Sequence, residues 1–114
     1  MQKYDFTGAS NGADCLVRQA REKSMHGDHT AAVEYLMEAV DIEPKHPEAF
    51  VLMGDCCDYL GQYEQAIANY DRALELDPYH ADAWFNKGMS LRSIGRNIEA
   101  VQCIEKSIEL YCGR

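Results

Sequence analysis

The chain has 114 residues, of which 46% are hydrophobic and 26% are charged, and its formal net charge is −8 at pH 7. This length and balance fit one small globular domain with a hydrophobic core and exclude wholesale disorder. No apolar run approaches the roughly 20 residues that a membrane span requires, and the negative charge disfavours nucleic acid because phosphate groups are repelled.

The cellular compartment is predicted from two features. No secretory signal pattern opens the sequence, and the 5 cysteines are an odd number, which favours free thiols over a disulfide framework. We therefore expect a cytoplasmic protein that contacts neither membranes nor nucleic acid.

The sequence repeats itself with a period of 34 residues. Three glycines mark the period, and each is followed five residues later by an alanine and nine residues later by a large apolar residue. The three sets are Gly27, Ala32 and Leu36; Gly61, Ala66 and Tyr70; and Gly95, Ala100 and Ile104. The period divides the chain into units 13–46, 47–80 and 81–114. Residues 1–12 precede the units and end in turn-forming residues, so we expect a flexible leader there.

Each unit predicts a pair of helices, most clearly in the middle unit. Over residues 47–60, Phe50, Met53 and Cys57 recur at the spacing of one helix face. Gly61 can adopt the positive φ that ends a helix at low cost. A second helix is predicted over 64–77, and Pro78 ends it because proline cannot continue the hydrogen-bond ladder.

The last predicted helix covers residues 98–111 and has apolar residues along one side. These are Val101, Ile104, Ile108 and Tyr111. Its inner members are expected to pack on the preceding helix and the others to stay uncovered, since only Cys-Gly-Arg follows Tyr111 in this sequence. Two explanations remain open: the chain is a natural short protein or a piece of a longer array, or the helix mediates self-association, head to tail or as a two-fold dimer.

The repeat resembles the tetratricopeptide repeat (TPR) family, whose period is about 34 residues. The middle unit carries that family's pattern as Phe50-x2-Met53-Gly54-x2-Cys57, then Ala66-x3-Tyr70, Ala73 and Pro78. The third unit carries Trp84-x2-Lys87-Gly88-x2-Leu91 and Ala100-x3-Ile104. The first unit departs from the pattern at Gln19 and Lys23, where bulky apolar residues are usual. The resemblance implies an all-α fold, a right-handed superhelix of three helix-turn-helix repeats whose first helices line a concave groove.

The resemblance also implies the function of a non-catalytic module that binds a partner peptide or helix in the groove. The family's groove positions carried over to this sequence are Val17, Arg21, Val51, Asp55, Tyr59, Phe85, Met89 and Arg92. We expect the apolar and aromatic residues of the second and third units to anchor a partner, Asp55 to meet a cation and Arg92 to meet an anion or a carbonyl. Some of the apolar positions also fit a core, and for Asp14, Glu48 and Asp82, which lie on the same faces, a merely solvated surface is the alternative.

Charge in the middle unit points to a basic partner. Residues 47–80 hold seven acidic residues and one basic residue, Arg72. This favours a partner with lysine or arginine at the centre of its contact, although solubility alone is an equally good explanation.

One TPR subclass binds the C-terminal carboxylate of a chaperone tail with a clamp of lysines, an arginine and asparagines. The matching positions here are Val17, Arg21, Leu52, Asp82 and Asn86, and none carries the clamp residue. Asp82 would repel a carboxylate where the clamp has a cation. We therefore expect that a chaperone tail is not the partner.

Motifs for catalysis, cofactors and metals are missing from the sequence. There is no G-x-S-x-G, P-loop, G-x-G-x-x-G or H-E-x-x-H, so we expect neither catalysis nor a cofactor. His26 and His29 are the only local histidine pair and lack further ligands nearby in the sequence, so no metal site is predicted. The cysteines form no C-x2-C pair and are expected in the core, with Cys112 the most exposed.

Overall fold

The computed structural model describes residues 12–113, which form six α-helices without a strand. The helices are α1 (Gly12–Met25), α2 (His29–Ile42), α3 (Pro47–Tyr59), α4 (Tyr63–Leu76), α5 (Ala81–Ser93) and α6 (Asn97–Cys112). The two helices of each repeat pack on each other, and α2 and α4 also pack on the first helix of the next repeat. The predicted all-α helical repeat is confirmed. The leader predicted over 1–12 lies outside the described residues except for Gly12, which begins α1.

A glycine ends the first helix of each repeat. Gly27, Gly61 and Gly95 have φ angles of 85°, 79° and 85°, a left-handed conformation that glycine adopts most readily. The residue after each glycine donates its N–H to the carbonyl five residues before it, at 2.8–3.0 Å. The helix end predicted at Gly61 is confirmed, the start predicted at residue 47 is the observed start of α3, and the other predicted boundaries differ from the observed ones by one residue.

Histidines begin the first helices of the second and third repeats. Nδ1 of His46 accepts the backbone N–H of Ala49 at 3.2 Å, and Nδ1 of His80 accepts that of Ala83 at 3.1 Å. Each bond satisfies an N–H that has no partner inside the helix. The other ring nitrogen faces the preceding repeat, since His46 Nε2 lies 3.0 Å from Asp14 Oδ1. The histidines therefore cap a helix and contact the neighbouring repeat at once.

Small residues let the two helices of a repeat approach closely. A Cβ atom added at Gly54 would lie 2.5 Å from the Tyr70 ring, and one added at Gly88 would lie 2.7 Å from Ile104 Cγ1. The Tyr70 ring fills the space that Gly54 leaves and is 1% exposed. The buried residues form three clusters, and the partly buried Phe50 and Trp84 each pack against two of them.

The first helices of the repeats form one layer and the second helices form another, and the spacing between helices differs between the two layers. Among the described helices, α1 contacts α3 and α3 contacts α5, whereas α2, α4 and α6 do not contact one another. The first helices therefore lie on the inner, concave side of the stack, which extends over 52 × 31 × 21 Å. None of these six helices combines the length and apolar character needed to cross a membrane.

Candidate functional site

A cavity of about 460 Å³ opens on the inner layer. Its lining residues come from α1, α3, α4 and α5: Ser24, Leu52, Asp55, Asp58, Tyr59, Tyr70, Asn86 and Met89. Three of the predicted groove residues, Asp55, Tyr59 and Met89, thus lie at one cavity. None of the eight lining residues is basic, so the two carboxyl groups give the cavity a negative potential.

Asp55 lies at the centre of the cavity's hydrogen bonds. Its Oδ1 accepts a bond from the Tyr70 hydroxyl at 2.5 Å and one from Asn86 Nδ2 at 3.1 Å. Burial raises the pKa of the Asp55 carboxyl, the charges of Asp58 and Glu48 raise it further, and the two hydrogen bonds lower it in part. Burial and the nearby Asp55 also raise the pKa of Tyr70, which stays a hydrogen-bond donor. A positive charge placed in the cavity would stabilise this carboxylate.

A second side-chain hydrogen bond from α5 to α3 lies one helical turn further along α3. Ser90, whose side chain is fully buried, donates to Asp58 Oδ1 at 2.9 Å. Asp55 and Asp58 on α3 are three residues apart and Asn86 and Ser90 on α5 are four apart, so each pair lies on one helix face, which is the signal in the sequence that could have revealed the pairing. These bonds fix the orientation of both carboxyl groups.

Aromatic and apolar side chains lie beside the carboxyl groups. Tyr59 is 75% exposed, and one face of its ring stacks on His29 at 4.5 Å between ring centroids. Phe85 is 39% exposed and Met89 is half-buried. Because His29 supports only one face of the Tyr59 ring, the other remains available for a partner.

Two predicted groove residues belong to the core. Val17 and Val51 are only 5% and 4% exposed, so they offer almost no surface to a partner. Val17 belongs to the same core cluster as Ala49 of α3, and Val51 to the same cluster as Ala83 of α5. Each valine is covered by the adjacent first helix, and the prediction that Val51 anchors a partner directly is therefore wrong.

The two predicted arginines are exposed in different surroundings. Arg21 on α1 forms an ion pair with Glu48 on α3 at 3.3 Å, and His80 approaches the same carboxyl group at 3.5 Å. Arg92 lies exposed near the end of α5. Arg21 therefore neutralises part of the acidic face, while Arg92 is not among the eight residues that line the cavity.

The predicted oligomer face on α6 is exposed. Val101, Ile108 and Tyr111 are 53%, 53% and 58% exposed, and Ile104 is half-buried. The Tyr111 hydroxyl donates a hydrogen bond to Asp82 of α5, which holds the ring against the α5–α6 pair.

One cluster of side chains of the kinds that bind metal ions was not predicted from the sequence. The ligand atoms of Asp14, Glu43 and His46 lie within 4.8 Å of one another. Nδ1 of His46 accepts the N–H of Ala49, which leaves Nε2 to donate towards Asp14. Since both ring nitrogens are engaged, we assign His46 the structural role of a helix cap.

The described cysteines are all free thiols. Cys56, Cys57 and Cys103 are buried, and burial raises the pKa of each thiol, whereas Cys112 is exposed as predicted. A raised pKa makes a thiol less reactive at neutral pH.

Models of repeat families match the chain in three places. TPR repeat matches residues 59–95, Tetratricopeptide repeat matches 81–111, and Anaphase-promoting complex, cyclosome, subunit 3 matches 13–73, which is more than half of the chain. The chain belongs to the tetratricopeptide repeat family. The three matches together reach from residue 13 to residue 111 of this TPR protein. No curated protein matches it.

Solved TPR structures are similar to this TPR protein in fold. The second TPR of Spaghetti (RPAP3), bound to an HSP90 peptide, has a TM-score of 0.87 at 17% identity, over 94% of this chain and 99% of that one. MamA has a TM-score of 0.84 at 22% identity, over 88% of this chain and 58% of that one. YrrB, described as a TPR protein with an unusual peptide-binding site, has a TM-score of 0.80 at 24% identity, over 88% of this chain and 52% of that one. The TPR protein thus spans little more than half of MamA and YrrB.

Proposed function

We propose that this TPR protein is a non-catalytic interaction module whose concave groove binds an extended or helical segment of a partner protein. The segment carries apolar anchors and at least one lysine or arginine. The observation that carries this proposal is the 460 Å³ cavity, which combines two fixed carboxyl groups with exposed aromatic surface. We place this activity in the cytoplasm, as the sequence predicts.

The apolar part of the groove supports binding of a partner's side chains. Tyr59 and Phe85 are exposed, and Tyr59 and Met89 line the cavity together with the carboxyl groups. Aromatic residues and methionine supply much of the binding energy at protein interfaces, because they bury large areas at a small cost in side-chain entropy. Each of these three side chains retains exposed surface that a partner would bury on binding.

The charge of the groove supports a basic partner. Asp55 and Asp58 lie in the cavity, and the negative field that raises the pKa of Asp55 includes Glu48. Arg21 already pairs with Glu48, but no basic side chain lines the cavity itself. A lysine or arginine of the partner would supply the missing positive charge and strengthen the contact most at low salt.

The test is selection from a displayed library of random peptides, followed by calorimetry on the selected sequences. We expect enrichment of peptides that combine lysine or arginine with aliphatic or aromatic residues. Tyr59→Ala and Asp58→Asn should each weaken binding of a selected peptide by about tenfold. Asn at position 58 still offers an acceptor to Ser90, so the fold is preserved.

The matched control is Asp41→Asn, which removes one exposed negative charge from α2, outside the inner layer. It should leave the affinity within about twofold. Selection of acidic peptides, or equal effects of the Asp41 and Asp58 variants, would contradict the proposal.

A peptide with a free C-terminal carboxylate separates this groove from a chaperone clamp. We propose that the HSP90 peptide bound by the Spaghetti domain does not bind here, since Asp82 is negative where the clamp carries a cation. Calorimetry with that peptide should give no measurable heat of binding, and saturable binding would overturn this part of the proposal.

Self-association through α6 is our second proposed role. It is favoured by Val101 and Ile108, which stay exposed on α6 although the residues at the same repeat positions on α4, Ile67 and Leu74, are buried. Light scattering over a range of protein concentrations tests it.

A further inference from the structure

Two acceptor atoms at the cavity on the inner layer have no donor. Oδ1 of Asp55 accepts hydrogen bonds from Tyr70 and Asn86. Oδ1 of Asp58 accepts one from Ser90. No described residue donates a hydrogen bond to Oδ2 of either carboxyl group. The bonded oxygen atoms therefore fix the two carboxyl groups, and the second oxygen of each is left for a ligand.

The spacing of the two carboxyl groups suits a ligand with several donors in one plane. Asp55 and Asp58 are three residues apart on α3, so their Cβ atoms lie about 5–6 Å apart on one helix face. One guanidinium group can bridge such a pair, because it carries five N–H donors in a rigid planar fork. An ammonium group is a more strongly hydrated point charge and loses more on leaving water. The pair is therefore better matched to arginine than to lysine.

The ring of Tyr59 offers a plane for the same guanidinium group. It stacks on the His29 ring with 4.5 Å between centroids and 5° between the planes. Ser24 Oγ lies 3.2 Å from His29 Nδ1, so a hydrogen bond holds the supporting ring. Tyr59 is 75% exposed, which leaves the face opposite His29 open. Guanidinium groups stack on open aromatic faces of this kind.

The cavity also provides for the aliphatic part of an arginine side chain. Leu52 and Met89 line it together with the carboxyl groups, and apolar side chains can cover the methylene groups of a long cation. No arginine of the chain is among the eight lining residues. Arg21 on α1 is engaged by Glu48 at 3.3 Å. The cation must therefore come from a partner.

The charges around the cavity indicate where the arginine stands in the partner segment. Asp55 and Asp58 line the cavity, and the charge of Glu48 adds to the negative field at Asp55. A chain-terminal carboxylate next to the arginine would be repelled by this field. The arginine therefore belongs inside the segment, with further residues after it.

We propose that the cavity binds an internal arginine of the partner in preference to lysine, with the guanidinium group between Asp55 and Asp58 and its plane on the Tyr59 ring. This inference rests on the proposed peptide-binding function and adds the residue type that is recognised. The two carboxyl groups accept its N–H donors, and Leu52 and Met89 cover its stem.

The test uses three synthetic peptide mixtures that differ only at a fixed central residue, which is arginine, lysine or citrulline. The flanking positions are randomised, and both ends are blocked by acetyl and amide groups. Retention on the immobilised chain should be about tenfold greater for the arginine mixture than for the lysine mixture. Citrulline has the shape of arginine without its charge, so its mixture should be retained no better than a blank.

The roles of the individual residues are tested by calorimetry with a single peptide sequenced from the arginine mixture. Tyr59→Leu and Asp58→Asn should each weaken its binding by about fivefold, and each should reduce the preference over the lysine version of the same peptide. Tyr59→Phe restores the ring and should recover most of the affinity lost in Tyr59→Leu. Asp41→Asn on α2 is the control for charge alone, and circular dichroism checks that each variant is folded.

The outcomes separate this inference from the groove proposal. Equal retention of the arginine and lysine mixtures would overturn the arginine preference and leave the groove as a site for basic segments. Retention of none of the three mixtures would overturn both proposals. Equal losses of arginine and lysine binding in Tyr59→Leu would show that the ring does not recognise the guanidinium plane.

The internal position has its own test. The sequenced peptide is shortened to end at the arginine and prepared with a free carboxylate or with an amide. We expect the free carboxylate to bind several-fold more weakly than the amide. Equal or tighter binding of the free carboxylate would overturn the internal position.

Discussion

The hydroxyl of Tyr70 on α4 donates a 2.5 Å hydrogen bond to Oδ1 of Asp55 on α3. The Tyr70 ring also fills the space beside Gly54 in the core. One side chain therefore packs the interior of the middle repeat and fixes a carboxylate in the groove. Core packing and groove electrostatics are coupled through this contact.

Removing the hydroxyl tests that coupling. Tyr70→Phe keeps the ring but leaves the half-buried Asp55 with Asn86 as its remaining side-chain donor. We expect the free energy of unfolding to fall by about 1–3 kcal/mol, because a buried acceptor loses a partner. Urea denaturation measures the change, and Tyr79→Phe, at a 75% exposed position, should change it by less than about 0.5 kcal/mol.

The pH dependence of stability reports on Asp55. Its pKa is raised in the folded state, chiefly by burial, so its contribution favours folding below the unfolded pKa of about 3.9 and is lost as the pH rises through the folded pKa. Asp55→Asn keeps an acceptor for Tyr70 and lacks this titration. The stability of Asp55→Asn relative to the wild type should therefore increase from about pH 4 to about pH 7. Asp41→Asn is the control, and an equal trend in both variants would contradict the assignment.

The close approach of α3 and α4 at Gly54 predicts a steric effect. Gly54→Ala places a Cβ atom 2.5 Å from the Tyr70 ring, and we expect a loss of about 1–3 kcal/mol in the free energy of unfolding. The first repeat pairs Ala20 with Leu36 at the same two positions. Combining Gly54→Ala with Tyr70→Leu should therefore cost less than the sum of the single changes, and strict additivity in this double-mutant cycle would disprove the packing explanation.

The histidine caps predict a rescue by asparagine. His80→Ala removes the acceptor of the Ala83 N–H and should lower the free energy of unfolding by about 1 kcal/mol. His80→Asn restores an acceptor at the first residue before α5 and should recover most of the loss. If asparagine is no better than alanine in chemical denaturation, the contact of His80 with Glu48, and not the cap, accounts for the effect.

The groove could be predicted only in part. Asp55, Tyr59 and Met89 were placed by their repeat positions and lie at the cavity. Val51 was expected to anchor a partner, but it lies where α5 packs against α3, and a helix-face pattern does not distinguish a groove surface from a contact between neighbouring first helices. Tyr70 was recognised only as a large residue of the repeat pattern, because a sequence pattern does not reveal how far a long side chain reaches.

The period, the number of helices and most helix ends follow from the amino-acid sequence. These depend on local constraints that individual residues impose: the positive φ of Gly61, the missing N–H of Pro78 and the apolar spacing within each helix. Only the stacked helices show which donors of α5 reach each carboxyl group, which valines are covered and which side of α6 stays exposed. Those properties depend on residues 31 or more positions apart, such as Asp55 and Asn86, that meet only when successive repeats stack.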